Sequence, residues 1–235
     1  MKSSKYLDHI GVEIEGGFKE KPKVLLENDG SLRRDEFYNS NYVGEIISPP
    51  LEEKEDLFKF MEENWPTEVT ARCGFHFHFS LKSILFYTQL MSEKFYKNYF
   101  MRDMRKWGKD YPCNNKSFWS RLDDGNHFCR AMFIPDKQIP LTQKVETRYT
   151  HLNYCYAMHK TIECRLFPMF VEFETGQSAI ETLINCIENY LTKNPPEELV
   201  EKIELEDENI IELPKKFKIE PFNLYKIRLE NENVF

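Results

Sequence analysis

Hydrophobic and polar positions alternate with period two in several stretches of this chain. Each such stretch reads as a β-strand with one apolar and one polar face. From Ile10 to Glu15 the alternation sets Val12 and Ile14 against Glu13 and Glu15, after which Gly16 and Gly17 are expected to break or bend the strand. An Asp-Gly turn signal at Asp29-Gly30 follows. Residues 42–48 predict a short strand stopped by Pro49 and Pro50. Residues 68–81 predict a strand whose end sets Phe75, Phe77 and Phe79 against His76 and His78. Residues 145–167 hold two more strands, the second with Glu163 and Arg165 flanking Cys164. Apolar spacing at Leu57, Phe58 and Met61 predicts a helix over 51–64, closed by Trp65 and Pro66. A long amphipathic helix is predicted over 82–107, and a third over 176–193 with Ala179, Ile180, Leu183, Ile184 and Ile187 on one face. Residues 108–140 read as irregular. The expected class is α+β: a mostly antiparallel sheet with helices covering one face.

A chain of 235 residues suits one sizeable domain, or one domain with an appendage, and 19 Phe and 12 Tyr supply a substantial core. Beyond Asn194-Pro195-Pro196 the composition turns acidic, which divides the chain into a main domain over 1–193 and an acidic extension over 194–235, expected to pack on the same domain. The extension's charged stretch reads as a solvated helix or strand face. A net charge of −7 argues against a nucleic-acid partner, although local arginines can still hold a small anion. The basic and aromatic stretch 95–107 accordingly reads as a helix with one buried side. The N-terminus lacks the apolar run of a signal peptide, no stretch is apolar and long enough to span a membrane, and the six cysteines form no C-x-x-C pair. The expectation is a cytoplasmic protein with free, inert thiols.

The candidate chemistry lies on the polar strand faces. Side chains at i and i+2 of a strand share a face roughly 7 Å apart. Glu13 with Glu15, His76 with His78, and Glu163 with Arg165 are therefore outward pairs, and Glu45 joins them from the 42–48 strand. Ordinary wet faces also carry Thr, Lys, Ser and Gln; this set is restricted to Glu, His and Arg. Carboxylates crowded on central strands repel one another unless a cation sits between them. The four acids favour Mg²⁺ or Mn²⁺, while the histidines would also admit Zn²⁺ or Fe²⁺. An arginine beside such a site makes sense if an anion is shared, so Arg165 and Arg148 are candidates for holding a phosphate. The chain has no G-x-x-x-x-G-K-[ST] loop and no strand followed by G-x-G-x-x-G, so a nucleotide would be held by metals and arginines.

Five segments occur in order: Gly11-Val12-Glu13-Ile14-Glu15, Asp29-Gly30-Ser31, Gly44-Glu45-Ile46-Ile47-Ser48-Pro49-Pro50, Cys73-Gly74-Phe75-His76-Phe77-His78-Phe79-Ser80 and Thr161-Ile162-Glu163-Cys164-Arg165-Leu166-Phe167. Together they resemble the amidoligase family, carboxylate–amine ligases grouped with glutamine synthetase and glutamate–cysteine ligase. The resemblance covers roughly residues 8–190. It implies a glutamine-synthetase-like fold: a curved antiparallel sheet forming half a barrel, with helices on the convex face and ATP and Mg²⁺ on the concave one. By that resemblance Glu13, His76 and Glu163 match ligands of the metal that bridges the nucleotide phosphates. Glu15 and Glu45 match ligands of a metal nearer the carboxylate substrate. His78 and Ser80 fall where relatives contact nucleotide, Arg165 matches the arginine that steadies the transferred phosphate with Arg148 as its partner, and Asp29 is a candidate for the incoming amine. Arg102 or Arg105, with Tyr111-Pro112-Cys113, echoes an element lining the nucleotide pocket.

The implied activity is amide formation through an acyl phosphate, from a small-molecule or peptide carboxylate and an amine. Three other readings stay open on the residues: a kinase-like enzyme on the same scaffold, a metallohydrolase using His76, His78 and Glu163, and a non-catalytic nucleotide- or metal-binding protein.

Overall fold

The computed structural model describes residues 4–110, 116–123, 129–130 and 149–196, and the strands at 200–204 and 210–214. Arg148 and the Tyr111-Pro112-Cys113 element lie outside the described residues. The fold is α+β. Six strands, β1 (Leu7–Phe18), β2 (Leu26–Glu27), β3 (Tyr42–Ile47), β4 (Gly74–Leu81), β5 (Leu152–Cys155) and β6 (Thr161–Pro168), form one open antiparallel sheet in the order β2-β3-β1-β4-β6-β5. The strands bearing the polar pairs, β1, β4 and β6, are therefore adjacent to one another and all inner; β3, which carries Glu45, is the fourth inner strand.

The alternation decides which face is buried. Val12, Ile14, Phe75, Phe77, Phe79, Ile162 and Cys164 are no more than 1% exposed and belong to a single core cluster. Each fully buried phenylalanine contributes about 1.5–3 kcal/mol over leaving it exposed. Helices supply the other wall of that core: α1 (Lys54–Glu63), α2 (Ile84–Leu90), α3 (Glu93–Phe95), α4 (Met101–Asp110), α5 (Lys116–Leu122) and α7 (Phe173–Lys193) all give residues to it. Edge-to-face ring contacts such as Trp65–Phe75 and Trp107–Phe167 join the two layers.

Several expectations shift. β1 does not end at Gly16 and Gly17 but runs through them, paired with Gly44 and Val43. The glycines are needed for room: a Cβ at Gly16 would lie 2.5 Å from Pro66 Cβ, and one at Gly17 would lie 2.2 Å from Ser40 Oγ. Gly17→Ala is accordingly expected to cost about 1–2 kcal/mol of stability, read as a lowered denaturant midpoint; an unchanged midpoint would show that Ser40 and Phe37 yield freely. The single helix over 82–107 is two. Ser83 caps α2 by accepting from Leu85 N–H, and Ser92 caps a second run, α3, by accepting from Phe95 N–H. That run continues through a π-helical turn at Tyr96–Phe100 into α4. The stretch read as irregular contains α5.

The strand expected over 145–156 shortens, among the described residues, to β5. Tyr156–His159 form a helical turn, α6, that ends on Lys160 with φ 54° and feeds β6. α7 starts at Phe173, three residues before the apolar stripe suggested, and ends at Lys193, where the composition changes. Beyond it, β7 (Val200–Glu204) and β8 (Ile210–Pro214) pair with each other in a two-stranded antiparallel sheet, which among the described residues is separate from the main one. Among the described residues no helix is long and apolar enough to cross a membrane.

Candidate functional site

Sheet register brings the polar pairs into one cluster. Glu13 lies opposite His76, Glu15 opposite Glu45, and Glu163 opposite both His78 and Asn153. His76 sits at the centre. Its Nδ1 donates to Glu13 Oε2 at 2.8 Å and lies 3.5 Å from Glu163 Oε1, while Nε2 lies 4.0 Å from Glu15 Oε1. Two groups of potential metal ligands follow, each with its donor atoms within 4.8 Å of one another: Glu13, His76 and Glu163, and Glu15, Glu45 and His76. One imidazole is common to both. His78 belongs to neither; its Nε2 donates to the other oxygen of Glu13 at 2.9 Å. Gly74 keeps this space clear, since a Cβ there would lie 2.4 Å from His76 Nε2 and 3.1 Å from Glu15 Oε1.

The carboxyls split electrostatically. Burial alone would raise Glu13, but hydrogen bonds and positive charge from His76 and His78 outweigh it and hold the group well below the usual carboxylate range. Burial raises Glu15, against the pull of His76 and a 2.7 Å hydrogen bond from Gly74 N–H. Half-buried Glu45 is pushed up to about 8, by burial first and then by the charges of Glu13, Glu15 and Asp29. Burial opposes the charged form of His78, yet the Glu13 carboxylate raises it overall. The region around Glu45 thus carries more negative charge than its protein neighbours compensate, the condition under which a cation binds.

Arg165 reaches this cluster from a β-bulge. Between the pairs Phe75–Phe167 and Phe77–Cys164, β6 carries Arg165 and Leu166 where β4 carries only His76. The guanidinium pairs with Glu163 through Nη1 and lies over the Tyr149 ring, 5.5 Å from its centroid. Glu163 is also held by Asn153 Nδ2 at 2.7 Å. Three buried polar atoms around it lack a partner: Arg165 Nε, Asn153 Oδ1 and Thr161 Oγ1. Such orphans mark places where water or a ligand completes the bonding. The donors are mostly carboxylate oxygens with one imidazole, which fits Mg²⁺ or Mn²⁺ and lacks the second histidine or thiolate of a typical zinc site.

The remaining candidates divide. Asp29 carboxylate accepts from Ser31 N–H at 2.7 Å and Ser31 Oγ at 2.9 Å, and its charge is felt by both Glu15 and Glu45. Ser80 stands two residues beyond His78 on β4, but its hydroxyl serves a second bulge, accepting from His9 N–H at 2.9 Å and donating to His9 C=O at 3.4 Å. A cavity of about 450 Å³ opens beside Glu13 and His78, lined by Gly11, Ile47, Pro50 and Thr161 among others. Arg102 and Arg105 join neither carboxylate group; they pair at the surface with Asp103 and Asp123. Burial raises the thiols of Cys73, Cys155, Cys164 and Cys186, that of Cys155 to about 12, so none of these four is a thiolate at neutral pH.

Two residues near the site, Asn153 and Arg121, are not among the candidates that the sequence suggests. Asn153 sits at an outward position of a strand that was read, between buried Leu152 and Tyr154, where the alternation could have found it. Arg121 lies on α5, in a stretch with no assigned period, and is fully buried behind Arg165. Compared with family models, with curated proteins and with solved structures, the chain matches none.

Proposed function

We propose that this chain is an ATP-dependent carboxylate–amine ligase of the amidoligase type, working with Mg²⁺ or Mn²⁺ on a half-barrel of which the open sheet is the concave wall. One observation carries the reading: two carboxylate groups share His76, and an arginine stands beside one of them on the next strand. An arginine beside carboxylates that would hold a metal suits a phosphate shared between them.

Glu13, His76 and Glu163 would hold one ion, and Glu15 and Glu45 another. Bound there, the ions supply positive charge to phosphate and carboxylate oxygens. Asn153 keeps Glu163 oriented, and Glu13 fixes both imidazoles. Nucleotide would enter the cavity beside Glu13 and His78, with His78 at its edge. The substrate carboxylate oxygen attacks the γ-phosphorus, and ADP leaves as Arg165, with Arg148, neutralises the phosphoryl group in transfer. The amine nitrogen then attacks the acyl carbon, phosphate leaves, and Asp29 takes the ammonium proton.

The test uses Mg·ATP, a panel of small carboxylates and peptides, and hydroxylamine as a general amine. ADP release together with a hydroxamate is expected. ADP release without hydroxamate would sink ligation in favour of a kinase-like enzyme, and turnover without ATP would favour a hydrolase.

A further inference from the structure

Behind the sheet, Arg121 is 1% exposed and, among the described residues, has no carboxylate within ion-pair distance. Its Nε lacks any partner. A buried charge of this kind is costly, and an apolar side chain of similar volume would fill the same space more favourably. What the guanidinium does instead is donate to two main-chain carbonyls: Nη1 to Arg165 C=O at 3.1 Å and Nη2 to Cys73 C=O at 3.4 Å.

Both carbonyls belong to the site's frame. The first lies in the β6 bulge. The second shares its peptide unit with Gly74 N–H, the group that donates to Glu15. His151, wholly buried, closes the ring. Its Nε2 donates to Arg121 C=O at 2.7 Å, and its own C=O accepts from Arg165 N–H at 3.0 Å. Because a carbonyl can only accept, Nε2 carries the proton; Nδ1 then accepts from Tyr96 Oη at 2.8 Å. Tyr96 opens the π-helical turn, a distortion that often marks functional sites. Three residues thus bond in a cycle: Arg165 to His151, His151 to Arg121, and Arg121 back to Arg165.

We propose that Arg121 and His151 are positioning residues that lock the β6 bulge from behind and so fix where Arg165 presents its guanidinium. The proposal rests on the reading of Arg165 as the group that neutralises the transferred phosphate. A bulge left to relax would still place an arginine near Glu163 but would not hold it within the few tenths of an ångström that charge stabilisation in transfer requires.

The test compares Arg121→Lys, His151→Phe and His151→Gln by two measurements. One is amide hydrogen exchange at Arg165 against the amides of β1. The other is binding of Mg·ADP with aluminium fluoride, which mimics a phosphoryl group in flight, against binding of Mg·ADP alone. Lysine replaces the planar two-nitrogen fork with a single mobile ammonium and loses its fixed hold on both carbonyls, and phenylalanine breaks the cycle. Both are expected to speed exchange at Arg165 about tenfold relative to β1. Both should also weaken the aluminium fluoride complex about tenfold while Mg·ADP changes less than about twofold. Glutamine can donate to Arg121 C=O and accept from Tyr96, so His151→Gln should behave as wild type. Exchange at Arg165 that only follows β1, equal weakening of both complexes, or a glutamine variant indistinguishable from phenylalanine would overturn the proposal. If the wild type binds neither nucleotide complex, the ligase reading falls, and the exchange measurement alone still decides whether Arg121 and His151 hold the bulge.

Discussion

Replacing His76 with alanine is expected to reduce ADP formation by about 10³-fold or more, the largest functional loss any single substitution at this site should produce. The reason is its position. Removing Glu163 takes one donor from one carboxylate group, whereas removing His76 takes the only nitrogen from both. It also strips Glu13 of one of the two hydrogen bonds that keep it ionised. The apo protein should survive the change, because the His76 side chain lies on the polar face while Phe75 and Phe77 on either side stay packed in the core. A stability loss of about 1–3 kcal/mol is expected from the unpartnered buried carboxyls. His76→Gln is the informative companion: the amide N–H can donate to Glu13, but toward Glu15 and Glu45 the side chain offers only a neutral amide oxygen in place of a ring nitrogen, so stability should partly return without activity. Turnover within tenfold of wild type, in an alanine variant whose circular dichroism is unchanged, would remove His76 from the chemistry.

The polar pairs were legible because a strand has period two. Once Phe75, Phe77 and Phe79 are placed in the core, His76 and His78 have only one side left to occupy, and the same holds for Glu13 and Glu15 against Val12 and Ile14. Cross-strand register was not legible. Nothing local to Glu15 says that Glu45 will lie opposite it, and the bulge at Arg165 follows from how β4 and β6 fit together rather than from either sequence alone. The glycines show the same limit. Gly16 and Gly17 signal a break when judged by propensity, yet their role is to admit Pro66 and Ser40, residues distant along the chain. Arg121 escaped for a related reason: a seven-residue helix is too short to display a period, and arginine there reads as a solvated charge until packing shows otherwise. Ser80 is a case where the local pattern was right and the contact was not, since the hydroxyl on the predicted face bonds a neighbouring bulge.

The same crowding of carboxyls predicts the largest change in stability. Without divalent cation the protein should lose about 2–3 kcal/mol between pH 5 and pH 8, and millimolar Mg²⁺ should flatten that slope. Glu45 sets the sign. Its ordinary value of 4.5 rises to about 8 in the folded chain, so the folded form holds a proton that the unfolded form has released. Stability from a raised group is complete below the unfolded value and disappears as pH climbs through the folded one. Glu15 is raised as well and adds in the same direction, and raised His78 adds to it above the ordinary histidine value of 6.5. Glu13, held low, titrates only at acid pH and leaves this window untouched. Each pKa unit is worth about 1.4 kcal/mol, so Glu45 alone has a ceiling of about 5 kcal/mol. Solvent screening of its half-buried carboxyl brings that down to about 2–3 kcal/mol. A bound cation favours the ionised carboxyls, so its binding should release protons and protect the fold most at pH 8, where the repulsion is greatest. Thermal melts in EDTA and in Mg²⁺ across this range read both effects. A melting temperature in EDTA that rises from pH 5 to pH 8, or a Mg²⁺ effect no larger at pH 8 than at pH 5, would mean that Glu15 and Glu45 do not confront each other as β1 and β3 place them.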